Sequence, residues 1–330
     1  MSTVKGQSYK RQLQHAIAAD LKDLSKVSSA KGLSAVAFDW AVIATSIIVS
    51  AWAAHLLIYP LAIIMIAARQ HALLIIMHDA SHFRLVKNKY VNDIFSNCLL
   101  AYPMLIRTES YRDNHLEHHK HTNTDDDPDW VRKEGDSNWA FPKTRLQLFA
   151  LLLRDLFGGG FLSTLKAIYS LGAKQTPTDK KKEKGNPKFG LIIFWSLAAI
   201  VFTLTGTWGY VLLYWFLPAW TVLPVLLRIR SIAEHFGLEN RHELNASRNY
   251  HCNLFETAIL APHNVGYHLD HHLFPTVPFY NLPELHRRLM NQSLYAEKSH
   301  QSDGIFGRRR TSVELDVGPT AFSTARHVDA

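Results

Sequence analysis

Leu61–His82 reads LAIIMIAARQHALLIIMHDASH, and its two ends belong to different surroundings. Residues 61–77 are apolar enough for hydrocarbon, apart from Arg69, Gln70 and His71. The run then passes without a break into His78 and His82, four residues apart. Ionisable side chains are costly in lipid, and where they occur they mark protein-lined sites. The stretch predicts a helix that crosses a membrane and carries a histidine pair out of it on one face.

Two further clusters repeat one spacing: His115-Leu116-Glu117-His118-His119, and about 150 residues later His268-Leu269-Asp270-His271-His272. At about 100° per residue, the second histidine of each falls roughly 60° to one side of the first and the third roughly 40° to the other. All three imidazoles can then meet at one point. With His78 and His82 these make eight, and His235, in Arg228-Ile229-Arg230-Ser231-Ile232-Ala233-Glu234-His235, is a ninth candidate. Nine imidazoles exceed one ion, so two ions with four or five ligands each is the economical solution. Imidazole suits zinc, copper, iron and nickel alike. A carboxylate-bridged di-iron helix bundle would need Glu residues and ExxH pairs at its core, and the apolar runs and histidine clusters supply none. Asp79, Glu117, Glu234 and Asp270 lie in or beside the clusters and are expected to orient imidazole N–H groups and offset metal charge. His121, His263 and His286 are expected to form hydrogen bonds behind the ligands or to cap helices. His15, His55, His242, His300 and His327 are expected to be bystanders.

The 330 residues are 47% hydrophobic, but apolar runs alternate with very polar segments. The net charge of +8 fits nucleic acid or an anionic membrane surface. No nucleic-acid motif is present, so a bilayer is the expected partner. Cys98 and Cys252 make no CxxC, which excludes a zinc ribbon or iron–sulfur domain, and are expected to be buried free thiols. Residues 1–31 are polar and carry no signal peptide pattern.

The expected fold is all-α and integral to a membrane. Four transmembrane helices, at about 33–57, 59–77, 189–205 and 210–227, carry a helical cap with the histidine clusters. Residues 1–32 form an N-terminal arm, 33–290 the membrane domain and 291–330 a mobile tail. Residues 92–106 are too short for a span and read as re-entrant or interfacial. Leu146–Leu171 reads as two amphipathic pieces on the membrane surface, broken at Gly158-Gly159-Gly160. The links near 55–60 and 206–209 lack Lys and Arg. By the positive-inside rule both termini and every cluster therefore face the cytosol. The acidic run Asp125-Asp126-Asp127-Pro128-Asp129 reads as a turn shaping the cap, since EF-hand spacing is absent. Tyr111, Trp130, Trp139 and Phe236 are candidates to line a substrate channel, and Tyr59 and Trp208 for an interfacial belt.

The motifs HDxSH, HxxHH followed by Lys120-His121-Thr122-Asn123, and HxxHH followed by Leu273-Phe274-Pro275 resemble the integral-membrane fatty acid desaturase and hydroxylase family, over about Asp39–Met290. Ala261–His286 resembles its bacterial-type acyl desaturases. The resemblance implies a non-haem centre of two iron ions, with O₂ as co-substrate and an acyl-lipid or acyl thioester as substrate. It implies as metal ligands His78, His82, His115, His118, His119, His235, His268, His271 and His272. Some members place an Asn four residues before the lone histidine to hold a metal-bound water. That position here is Ser231, and Asn264 is a possible substitute. The haem-binding motif of a b-type cytochrome is absent from both tails. A separate ferredoxin-, rubredoxin- or cytochrome-type protein is thus expected to deliver electrons, at a bacterial inner membrane. The first alternative is a di-iron hydroxylase of an alkane, sphingoid base or carotenoid. A zinc-dependent membrane hydrolase needs fewer histidines, and a metal transporter would place its ligands within the spans.

Overall fold

The computed structural model describes residues 8–163, 189–238, 242–306 and 312–318. Two short helices, α1 (Tyr9–Ala16) and α2 (Ala18–Leu24), precede the first long one. They are packed against the rest of the chain: Leu13 and Ile17 are buried, and Asp20 pairs with Arg288 at 3.7 Å. α3 (Ser29–Ala53) is shifted towards the N-terminus of the expected 33–57. The Ser28 hydroxyl caps its start, and Ala54, at φ 43°, ends it in a left-handed turn. α4 (Ile58–Ser81) contains the quoted stretch and continues through His78 as one helix.

Within α4 the polar residues find different solutions. Arg69 pairs with buried Asp39 of α3 at 3.0 Å, and Gln70 donates to the Trp215 carbonyl at 2.8 Å. His71 is fully buried and bonds no side chain among the described residues, lying against the Ile259 backbone. About 72% of the apolar stretch of α4 is enclosed by protein, against 22% for α3, which makes α4 the inner helix.

α5 (Lys89–Ser96) runs into a π turn at Asn97–Ala101 and a 3-10 turn at Tyr102–Met104. A second π turn, Leu212–Phe216, precedes Pro218 as the first precedes Pro103. Proline lacks the N–H and crowds the carbonyl four residues back, so the ladder widens before it. The expected interfacial segment 92–106 is therefore largely helical, with Leu100 and Ala101 buried.

α6 (Thr108–His121) carries the second cluster. α7 (Arg145–Leu156) starts in a capping box of Thr144 and Gln147. Its Leu146, Phe149 and Leu153 are exposed, while Asp155 is buried in an ion pair with Arg228. That is the expected first amphipathic piece. Most of the second, and the basic loop 174–188, lie outside the described residues. α8 (Phe189–Thr205) is apolar but shorter than the others, and α9 (Trp208–His235) ends at His235. Among the described residues α3, α4 and α9 are long and apolar enough to cross a membrane. Cys98 and Cys252 are free, Cys98 being exposed rather than buried.

After α9 come the short strand β1 (Asn249–Tyr250), then α10 (Leu254–Ile259), α11 (His268–Leu273) and α12 (Leu282–Met290). The expected mobile tail is folded where it is described. α13 (Ser293–Lys298) buries Tyr295, β2 (Gln301–Ser302) pairs in parallel with β1, and α14 (Val313–Val317) follows. The reason is polar: the Tyr295 hydroxyl donates to the buried carboxylate of Asp270. His327 lies outside the described residues.

Candidate metal centre

The ends of α4, α6, α9 and α11 meet, and the nine histidines fall into two groups. His78, His82, His115, His119 and His271 form one, and His118, His235, His268 and His272 the other. Within each group one ring nitrogen from every residue lies within 4.8 Å of all the others. Neighbouring residues serve different groups, His118 against His119 and His271 against His272. The groups share a wall where the His119 and His272 rings stack at 4.2 Å.

The second group shows why these nitrogens need a cation. His118 directs Nδ1 at Asp127, 2.9 and 3.0 Å from its two carboxylate oxygens. Thr122 Oγ1 donates to the His118 carbonyl at 2.8 Å and so accepts from Nδ1–H of His272 at 3.1 Å. His268 Nδ1 faces Glu234 at 3.4 Å. With the proton on Nδ1 in each case, Nε2 presents a bare lone pair. Yet His272 and His268 bring Nε2 atoms to 3.0 Å, and His268 and His235 to 2.9 Å. In the first group His119 Nε2 lies 2.9 Å from that of His115 and 3.2 Å from that of His271, while Nε2 of His78 and of His82 are enclosed without partners. Imidazoles bound to one ion at about 2.1 Å place neighbouring nitrogens about 3.0 Å apart at right angles and about 3.4 Å apart in a tetrahedron. The all-imidazole donor set therefore fits one transition-metal ion per group.

Electrostatics supports the ligating form. Burial, then the neighbouring imidazoles, depress the pKa values of His115, His268, His271 and His272 well below the usual histidine range. Burial lowers His82 to about 4. These rings are neutral at physiological pH, as metal ligation requires. Burial opposes ionisation of Asp127, but the hydrogen bonds from His118, Asn123 N and Asp129 N outweigh it and hold its carboxyl below the usual range.

The acids expected behind the ligands divide. Glu234 reaches His268, and Asp79 lies 3.7 Å from His78 Nδ1 while accepting from Phe279 N at 2.7 Å. Glu117 instead faces solvent, in surface pairs with Lys120 and His121, so neither Glu117 nor His121 backs a ligand. Asp270 is fully buried but serves Asn249, His286 and Tyr295. Asn264 donates to the Phe279 carbonyl at 3.1 Å, and Ser231 accepts from Lys133 at 2.8 Å. His263 binds Asp39 at 2.7 Å and His300 binds Asp316 at 2.9 Å, so His300 is no bystander. Asp127 and Thr122 are the backing residues that the cluster spacing did not reveal. Trp130 and Trp139 each pack on Phe236, and Tyr111 stacks on His115 at 5.2 Å. An apolar cavity of about 310 Å³ lies elsewhere, bordered by Trp40, Phe194, Trp195, Tyr214 and Trp215.

The family model for fatty acid desaturases matches residues 39–303. The chain is 30% identical to a dihydrorhizobitoxine desaturase of Bradyrhizobium elkanii, over 86% of this chain and 83% of that one. It is 30% identical to an sn-1 oleoyl-lipid 12-desaturase of Anabaena variabilis, over 63% of this chain and 62% of that one. It is 25% identical to an sn-1 acyl-lipid omega-3 desaturase (ferredoxin) of Nostoc sp. (strain 36), over 68% and 66%.

Proposed function

The chain belongs to the fatty acid desaturase family and is an oxidoreductase of the desaturase type, and we propose that its nine histidines hold two iron ions with which it unsaturates an acyl chain at the expense of O₂. The observation that carries this reading is the pair of convergent imidazole groups, whose bare Nε2 atoms crowd to about 3 Å. The overall change is –CH₂–CH₂– + O₂ + 2e⁻ + 2H⁺ → –CH=CH– + 2H₂O. When bound, the iron pair supplies the reduction of O₂ that makes an unactivated C–H bond breakable.

The protein's own part is to set the ligands and to separate the reactants from water. Asp127, Thr122 and Glu234 hold the Nδ1 protons of His118, His272 and His268, which aims each Nε2 lone pair inwards. α4 carries His78 up from the apolar part of the molecule, so hydrocarbon can reach the centre from the lipid side. The apolar cavity at Trp195 and Trp215 adjoins Gln70 of α4, and is a seat for a hydrocarbon tail. We read α8 as a fourth span. Both termini and the histidine cap then lie on the cytosolic face of a bacterial inner membrane, where a separate electron carrier docks. The Lys and Arg distribution supports that orientation, and a relative whose name specifies ferredoxin supports the carrier.

The test is expression in a host without this activity. About two irons per purified chain and a new alkene in the membrane acyl chains are expected; His118→Ala should lose the alkene and keep about one iron, since His118 belongs to one group only. A single zinc per chain would sink the reading, and an alcohol as sole product would turn it into a hydroxylase.

A further inference from the structure

We propose that Arg112, Phe83 and Arg84 are positioning residues that set the first histidine group by fixing the end of α4. The inference rests on the reading of the two groups as ion sites and says how one of them is held.

The groups are backed differently. Asp127, Thr122 and Glu234 face ring nitrogens of the second group. In the first, Nδ1 of His119 and of His271 are enclosed without partners among the described residues, and Asp79 stays 3.7 Å from Nδ1 of His78. With no acceptor to hold these rings, the main chain has to place them.

α4 supplies His78 from its last turn and His82 from its C-cap. The last carbonyls of a helix have no partner inside it. Here every one from His78 to His82 is taken. Ser81 Oγ donates to the His78 carbonyl at 2.6 Å. Arg112 Nε donates to the Ser81 carbonyl at 2.7 Å, and its Nη2 to that of Ala80 at 3.4 Å. Arg84 Nε donates to the His82 carbonyl at 2.9 Å. The backbone closes the rest: Phe83 N donates to Ala80 O at 2.9 Å and Arg84 N to Asp79 O at 3.0 Å, the paired bonds of a Schellman turn.

The residue after the cap of such a turn is left-handed and usually glycine. Here it is Phe83, at φ 59°. Glycine takes that conformation at less cost, so the ring is what the position retains. The Arg112 guanidinium lies over it, 3.9 Å from its centroid, and Lys89 Nζ lies at 5.1 Å. Phe83 is thus a platform that holds Arg112 against the α4 carbonyls, while Asp93 takes the terminal nitrogens of the guanidinium.

The same arginines reach the other elements of the first group. Arg112 stands three residues before His115, so it ties α4 to the helix of His115 and His119. Arg84 Nη1 donates to the Thr276 carbonyl at 3.2 Å, just beyond α11 and its His271. α4 gives no ligand to the second group. The clamp therefore bears on one ion.

The test uses the full-length protein in detergent, stripped of metal and titrated with Co²⁺ against a chelator. Visible absorption counts the ions whichever metal is native, and the five- and four-residue groups give different bands, which identifies each step. The wild type should bind in two steps. Arg112→Gln should weaken the five-residue step roughly 10- to 100-fold, as loss of a charge-assisted hydrogen bond does, and leave the other within about twofold. Arg112→Lys, which keeps the charge and one donor, should recover part of the loss. Phe83→Gly should weaken the same step roughly 2- to 5-fold without lowering the melting temperature, an opposition that a purely structural role does not produce. Asp127→Asn should weaken the other step. An unchanged isotherm for Arg112→Gln, equal loss in both steps, or loss in the step that Asp127→Asn weakens would overturn the proposal. This pattern of Co²⁺ binding from a protein that makes no alkene would speak against the desaturase reading and leave this one standing.

Discussion

Replacing Asp127 by Asn should loosen one ion site and spare the other. His118 Nδ1 donates to a carboxylate that also accepts Asn123 N and Asp129 N, each at 2.8 Å. An amide offers one oxygen. If that oxygen serves His118, the new –NH₂ group confronts a backbone N–H that has lost its acceptor. The charge-assisted bond alone is worth about 1.5–3 kcal/mol, or roughly 10- to 150-fold in affinity. Loss of a carboxylate behind a ligand commonly costs about 10- to 100-fold in metal binding. Since His118 belongs only to the group with His235, His268 and His272, one of two ions should weaken by about that factor. The assay is an anaerobic titration of metal-free protein with Fe²⁺ against a competing chelator, read as a two-step isotherm. Glu117→Gln, on the exposed side of α6 next to His118, is the control that should change neither step. An unchanged isotherm for Asp127→Asn, or equal weakening of both steps, would refute the assignment of His118 to one group and of Asp127 to His118.

Alanine at His78, His118 or His271 should abolish product while the protein still inserts into the membrane; substantial product from any of them would break the nine-ligand site. His300→Ala should lower the melting temperature by roughly 2–4 °C through loss of the Asp316 contact, whereas His121→Ala, at a surface pair with Glu117, should leave both stability and iron content unchanged. Because Asp127 is held below its usual pKa, its stabilisation is present above about pH 4, the unfolded value, and is lost as pH falls through the lower folded value. The acid limb of a stability–pH curve should flatten in Asp127→Asn, and an unchanged limb would contradict this. A cysteine at Thr207 should react with an impermeant label in intact cells and one at Asp179 only after lysis; the reverse pattern would invert the topology.

The histidine clusters were legible because helical spacing is local, but the three imidazoles of a cluster do not meet at one point as expected: the i, i+4 pairs His115/His119 and His268/His272 stay together, while His118 and His271, at i+3, each join the other group. Their support was less legible. Glu117 and Asp270 each stand two residues after a cluster's first histidine, about 200° around the helix, and therefore point away from it. Glu117 found water, and Asp270 found Asn249 and Tyr295. Asp127 reaches His118 only because the chain turns at Asn123, which has φ 55° and donates its side-chain amide to the His235 and Ala246 carbonyls. No periodicity announces such a turn. The spans were visible as apolar runs, but their ends were set by caps, as at Ser28 and Ala54. The folded tail was hidden because its anchor is one tyrosine bonded to one buried acid.

The alternation of neighbours between the two groups has a consequence for how the enzyme is made. The first group takes its last ligand from His271 and the second from His272. Neither can close until the chain has been synthesised past those residues, by which time α3, α4 and α9 have all left the ribosome. Metal acquisition is then a late step in the protein's biogenesis, and any truncation before residue 271 leaves two incomplete sites rather than one finished and one missing.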